Sequence, residues 1–321
     1  MKPTPALPRP PRGRGPSAPA PPHTTLATSS LRRAILPALA VLIGLASVAR
    51  LNAAPVVLYD PTAGNRLDQQ GFMYLNGPPL QPVDTALGYS GGLTTLDTTA
   101  DIGEASGFFT HDPLSGVQVH PSAPTLDRSA GFLLRFDLQL FDEVHNARDD
   151  NNDGLFDRAG FSVIAVAQDL LAIELGFLDN GDGTWRVFAY EDDSPNAGDI
   201  FTQAESHQLS DAEVGALTKY ELSVLGSGYS LAADGTTILS GSLRDYTAYN
   251  PFPDPYDKPN MIFLGDDTSS ASSSSALGLI TVGAVPEPGT WLLAASAAVM
   301  LTGVRRPGRC RRATALPRRR A

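Results

Sequence analysis

The chain has 321 residues, a formal net charge of −10 and one cysteine, Cys310. The cysteine lies close to the C-terminus, so a disulfide framework and a thiol nucleophile are excluded from the body of the chain, whose stability must come from its core. The charge divides into +7 over residues 1–54, −24 over 55–285 and +7 over 286–321, and the strongly acidic middle excludes a phosphate-backbone partner. No nucleic acid is therefore expected, whereas divalent cations are compatible with this balance. For most of the carboxylates the simpler reading is solubility.

Residues 1–30 are rich in proline (Pro8, Pro10, Pro11, Pro16, Pro19, Pro21, Pro22) and read as a disordered extension. A start codon assigned too far upstream would give the same extension, and translation from Leu31 would leave a conventional signal peptide. Residues 31–54 have the order of such a peptide: Arg32 and Arg33, an apolar stretch from Ala34 to Ala49, then small residues at Ala49, Ala53 and Ala54. Cleavage near Ala54 would start the mature chain at about Pro55, which implies passage through the Sec export machinery.

Residues 55–283 form one passenger domain in which period-two patterning dominates and no helix is evident. Phe132, Leu134, Phe136, Leu138 and Leu140 alternate with Leu133, Arg135, Asp137 and Gln139, as a strand with one buried face requires. Residues 161–167 are almost continuously apolar and predict a central strand covered on both faces. Ile173, Leu175 and Phe177 lead through Asp179-Asn180-Gly181-Asp182-Gly183 to Trp185, Val187 and Ala189, a hairpin. Tyr220 to Val224, Tyr229 to Leu231 and Thr237 to Gly241, joined by Gly226-Ser227-Gly228 and Asp234-Gly235, read as a three-stranded meander. These segments predict an all-β fold, an antiparallel β-sandwich. Immunoglobulin-like and jelly-roll topologies both fit, and the meander favours a jelly-roll, concanavalin-like or laminin-G-like arrangement.

Between two of these strands lies Asp149-Asp150-Asn151-Asn152-Asp153-Gly154-Leu155-Phe156-Asp157. Side-chain oxygens at Asp149, Asn151, Asp153 and Asp157, a backbone carbonyl at Leu155 and a glycine at the turn match the pattern that wraps Ca²⁺. The position of the closing bidentate Glu of an EF-hand is Gly160, and the flanks are strands. The loop therefore looks more like the calcium loops of extracellular modules, in which the ion would staple a β-connection and take a further ligand from Asp142, Glu143 or Asp150. The alternative is a surface turn that binds no ion, since turns demand the same composition.

Other chemistry is less well supported. His111, His120, His145 and His207 lack zinc-ligand spacing. Glu174 has no carboxylate two residues away, as a strand-borne glycosidase pair would. Glu191-Asp192-Asp193 reads as a solvated turn. Trp185, Tyr190, Tyr246, Tyr249, Phe252 and Tyr256 could form a sugar-stacking platform, or could simply pack the core and loops.

At the C-terminal end, Val285, Pro286, Glu287, Pro288 and Gly289 precede an apolar run over 290–304 and then Arg305, Arg306, Arg309, Arg311 and Arg312. Proline stops folded structure there. The run is shorter than the roughly 20 residues that span a hydrocarbon core, and the arginines hold its distal end in the cytoplasm. Residues 284–312 closely resemble the PEP-CTERM sorting signal of Gram-negative bacteria, also known as the ice-binding protein C-terminal domain, followed by a basic tail, 313–321. The resemblance implies a short transmembrane sorting helix with transient membrane contact, recognition by an exosortase, and release from an inner-membrane intermediate to the cell surface or extracellular matrix.

A second resemblance covers nearly all of residues 56–283. Leu58-Tyr59-Asp60, Asp68-Gln69-Gln70-Gly71, Thr95-Leu96-Asp97-Thr98, the segment 157–163, Ile173 to Phe177, Gly241 to Tyr246 and Phe263 to Ser269 look like a choice-of-anchor domain. It implies a surface location and a sandwich, and assigns no catalytic residue. Two functions follow as expectations: a non-catalytic surface or matrix protein associated with extracellular polysaccharide and stabilised by calcium, or a secreted glycan-active hydrolase on a concanavalin-like sandwich.

Overall fold

The computed structural model describes residues 54–77, 87–103, 105–192, 201–249 and 253–285. The expected signal peptide and the sorting residues Pro286, Glu287, Pro288, Arg305 and Arg306 lie outside the described residues, as do Asp193 and Phe252. Among the described residues no helix is long and apolar enough to cross a membrane.

The described strands are β1 (Val56–Tyr59), β2 (Met73–Asn76), β3 (Leu87–Ser90), β4 (Leu93–Asp97), β5 (Ser106–Phe109), β6 (Phe132–His145), β7 (Phe161–Val166) and β8 (Ala172–Asp179). They continue with β9 (Thr184–Tyr190), β10 (Gln203–Ser210), β11 (Thr218–Leu225), β12 (Gly228–Ala233), β13 (Thr236–Ser242), β14 (Ile262–Asp266) and β15 (Ala271–Ala284). Among the described residues helix is limited to 3₁₀ turns and one short α-helix, α1 (Asp211–Val214), started by a capping box in which Ser210 and Glu213 satisfy each other's backbone N–H.

All described strand pairs are antiparallel and form two sheets. The first runs β13-β12-β11-β6-β15-β4-β3, with β1 also on β15, and the second runs β10-β9-β8-β7-β14-β5-β2. The fold is thus the antiparallel, jelly-roll-like β-sandwich that the alternation predicts. Phe132, Leu134, Phe136, Leu138 and Leu140 all point into the core between the sheets, and Leu133, Arg135, Asp137 and Gln139 point away. Each such Leu or Phe contributes about 1.5–3 kcal/mol of burial. The predicted hairpin is β8 and β9, and the meander is β11 to β13, turning at Asp234 and Gly235, both with positive φ.

Strand β7 is buried on both faces because the second sheet packs on two clusters. Phe161, Val163 and Ala165 enter the main core, while Ile164 and Val166 meet a second cluster on the outer face, with Tyr190, Phe201, Tyr246, Tyr256 and Phe263. Two chain crossings join the sheets at one end of the sandwich, residues 146–160 from β6 to β7 and residues 267–270 from β14 to β15, linked by Asn146 N–H donating to Ser270 O at 3.0 Å.

Strand β6 changes phase there. Ser274 pairs with Asp142 and Ser275 with Leu140, so Phe141 is an extra, bulged residue, 54% exposed. The bulge aims Glu143 inward, where Oε1 accepts from Gly160 N at 2.6 Å and Oε2 from Asp179 N. A carboxylate of the first sheet thereby ties together two strands of the second.

Candidate functional site

The acidic loop is the sheet-to-sheet crossing 146–160. Asp149 Oδ1 and Asn151 Oδ1 both accept from Asp153 N at 3.1 Å, and Asp149 Oδ2 accepts from Gly154 N at 3.0 Å. Asp153 Oδ1 accepts from Leu155 N at 2.8 Å, and Gly154, at φ 85°, makes the turn. Shared donors thus draw the oxygens of Asp149 and Asn151 to one point and set Asp153 beside them. Asp157 is buried below: Oδ2 accepts from Asp150 N at 2.6 Å, while Oδ1 has no hydrogen-bond partner among the described residues. Burial raises its proton affinity above that of an ordinary Asp, against the opposing hydrogen bond from Asp150.

Two of the three candidate extra ligands are committed elsewhere. Glu143 faces Gly160 and Asp179, and Asp150 is held by Arg148 at 2.7 Å and Arg158 at 3.3 Å. Asp142 remains exposed. The absence of a closing Glu at position 160 has a steric cause, since a Cβ on Gly160 would sit 2.5 Å from Ser272 C and 2.6 Å from Ser272 O. Among the described residues no group of three or more His, Cys, Asp or Glu side chains is placed to hold a metal. The oxygens that the loop brings together are those of Asp149, Asn151 and Asp153, with the unpaired Asp157 Oδ1 buried close to the same turn.

A second polar centre lies under the aromatic cluster on the outer face of the second sheet, where spacing along one strand gave no indication of it. On β8, Ile173, Leu175 and Phe177 face the main core, so Glu174 faces outward, yet it is only 2% exposed. Tyr256 Oη donates to Glu174 Oε2 at 2.6 Å, and Asp267, from the β14–β15 crossing, hydrogen-bonds the same carboxyl. Burial, then the neighbouring Asp267 charge, holds Glu174 well above the usual carboxylate range. Its carboxyl thus accepts from Tyr256 and shares a hydrogen bond with Asp267. The partner that Glu174 lacks on its own strand is supplied from 93 positions further on by the sheet order β8-β7-β14. Only the acidic pair Asp266-Asp267 closing an apolar run could have signalled it.

The predicted aromatic platform is mostly packing. Phe201, at φ 63°, stacks on Tyr246 at 5.6 Å, and its ring and carbonyl are held by Arg158. Tyr190 and Tyr256 pack around Phe201, and Trp185 belongs to the main core. Among the described residues of the platform Tyr249 alone stays substantially exposed, at 38%, with its ring edge-on to Phe201 at 4.6 Å. Beside it opens a cleft of about 400 Å³ whose lining includes Tyr249, Tyr256, Phe109, Phe263, Ser106 and Asp267.

The four histidines do not converge on a metal. His120 Nε2 meets Leu58 O at 2.9 Å, His111 Nδ1 meets Thr110 Oγ1 at 3.0 Å, and His145 packs on Phe156. His207 lies on β10. Val285 directly follows β15, at the limit of the described residues.

No protein-family model and no curated protein matches the chain. Solved structures similar to it include a carbohydrate esterase from the Shiga toxin-encoding bacteriophage phi24B, at 12% identity and a TM-score of 0.42 over 73% of this chain and 100% of the other. A Bacillus subtilis protein of unknown function with a galectin-like fold gives 11% identity and 0.38 over 71% and 96%. A prokaryotic β-1,3-1,4-glucanase (lichenase) derived from a mouse hindgut metagenome gives 8% identity and 0.34 over 66% and 93%.

Proposed function

We propose that this chain is a non-catalytic surface or extracellular-matrix protein, exported through the Sec machinery and sorted by an exosortase, whose acidic sandwich associates with extracellular polysaccharide. Calcium at Asp149, Asn151, Asp153 and the Leu155 carbonyl would neutralise part of the crossing between the sheets and brace it. The observation that carries the non-catalytic reading is the sealed Glu174. A glycosidase holds its two carboxyls about 5–9.5 Å apart with the scissile bond between them. Glu174 and Asp267 instead hydrogen-bond to each other beneath Tyr256, which leaves no place for a sugar between them. The sorting half of the reading is supported by the order Val285-Pro286-Glu287-Pro288, apolar run, arginines.

The test pairs a pull-down on extracellular polysaccharide, with and without chelator, with a reducing-sugar release assay on the same glycans. Retention without release is expected. Release of reducing ends would overturn the non-catalytic reading in favour of a secreted hydrolase, and absence of retention would overturn the polysaccharide association. For sorting, a Pro288→Ala, Glu287→Gln variant expressed in an exosortase-bearing host is expected to stay in the inner membrane while the parent reaches the surface.

A further inference from the structure

We infer that the cleft between Tyr249 and Asp267 is the glycan-binding site, and that it takes a neutral oligosaccharide. This inference rests on the polysaccharide association proposed above and names where it occurs and with what chemistry. At about 400 Å³ the cleft is of the size of small-molecule sites, roughly 300–1,000 Å³. Its chemistry is divided. One side is aromatic and apolar, with Tyr249, Tyr256, Phe109 and Phe263, and Tyr249 presents an exposed ring held against Phe201. The other side is polar, with Asp266, Asp267 and Ser106.

A pyranose ring is divided in the same way. Its C–H face packs on the electron-rich face of a tyrosine, and its hydroxyls at the rim need donors and acceptors. Asp266 is buried with both oxygens taken, by Thr98 Oγ1 at 2.7 Å and Thr268 N at 3.1 Å, whereas Asp267 is only partly buried and, besides its bond to Glu174, keeps further lone pairs for ligand hydroxyls. Ser106 Oγ is buried in the lining without a hydrogen-bond partner among the described residues, a free donor and acceptor for a bound hydroxyl. No Lys, Arg or His is among the described lining residues, and the surrounding segment carries −24. A uronate or sulfated glycan would therefore enter against like charge with no cation to meet it, whereas a neutral one loses nothing. Tyr256 joins the cleft to the buried centre, since its ring lines the wall and its hydroxyl binds Glu174, so the wall is fixed before any ligand arrives.

Calorimetric titration of the purified full chain with cellohexaose, laminarihexaose, mannohexaose and a hexamer of galacturonate tests this. At least one neutral hexaose is expected to bind and the galacturonate hexamer is not. Tyr249→Ala should weaken that binding at least tenfold and Asp267→Asn severalfold. Tyr89→Ala, which removes a similarly exposed tyrosine from the other sheet, should leave it unchanged. Melting curves of each variant separate loss of binding from loss of fold, and Asp267→Asn carries the test if Tyr249→Ala does not fold. Preference for the acidic hexamer, or wild-type affinity in both cleft variants, overturns the inference. Retention on extracellular polysaccharide that survives both substitutions overturns the cleft while leaving the association standing; no retention by the parent chain overturns both.

Discussion

Glu143 Oε1 accepts from Gly160 N at 2.6 Å, a bond between a bulged strand of one sheet and the entry to a central strand of the other. The second oxygen takes the Asp179 N–H, so one carboxyl spans β6, β7 and β8. The two donors favour the anion, but burial outweighs them and pushes the Glu143 carboxyl up to about 8.

Stability should therefore depend on pH through Glu143. A group whose proton affinity is raised on folding adds stability that is fully present below its unfolded value, near 4.5, and lost as pH rises through about 8. Each tenfold change in proton affinity is worth about 1.4 kcal/mol. Thermal unfolding between pH 4.5 and pH 9 should show the melting temperature falling, with a shallower fall in Glu143→Gln, which carries no proton to lose. Parallel curves would refute the assignment.

Gly160→Ala should destabilise by about 1–3 kcal/mol or more, the range for forcing extra volume into a packed site. Its Cβ would meet backbone atoms of Ser272 and Ser273, which cannot swing aside as a side chain can. Urea unfolding is the measurement, and a midpoint equal to wild type would show that the sheets can separate there at no cost.

Calcium should raise the melting temperature of the parent chain and leave Asp153→Ala unmoved, with half-saturation at roughly 10⁻⁴ to 10⁻³ M, as for extracellular modules. EGTA should reverse the gain. If the parent chain melts at one temperature with and without the ion, the crossing is an acidic turn held by its own Asx hydrogen bonds.

Tyr256→Phe removes the one hydroxyl that donates to Glu174 and should cost about 1–3 kcal/mol, the penalty for a buried acceptor left unpaired. Chemical denaturation at neutral pH reads this directly. A neutral substitution would mean that Asp267 alone satisfies Glu174.

The sandwich was legible wherever local alternation meets local pairing. The β8–β9 hairpin and the β11–β13 meander carry apolar residues at period two beside turn residues and pair with near neighbours in sequence. Strand β6 shows the alternation as clearly, although its pairings, with the distant β11 and β15, were not legible. Strand β15 was not legible. Its Ser272, Ser273 and Ser275 interrupt any apolar alternation, yet they are buried in the middle of the first sheet, where their hydroxyls reach Asp101 O, Gly160 O and Leu96 O. Serine there satisfies backbone carbonyls and leaves room for Gly160 to approach, and both needs arise only when distant strands meet.

By itself the sequence determined the charge division, the all-β patterning, the oxygen-rich crossing and the order of residues that points to export and sorting, because composition and spacing along the chain suffice for each. Tertiary structure decided the rest. It set the bulge at Phe141 that turns Glu143 inward, and it joined Glu174 to Asp267 across β7. It also buried most of the predicted aromatic platform while leaving Tyr249 at the mouth of a cleft. The physical reason is common to all three: burial and pairing between residues far apart depend on strand order and register, which local pattern does not encode.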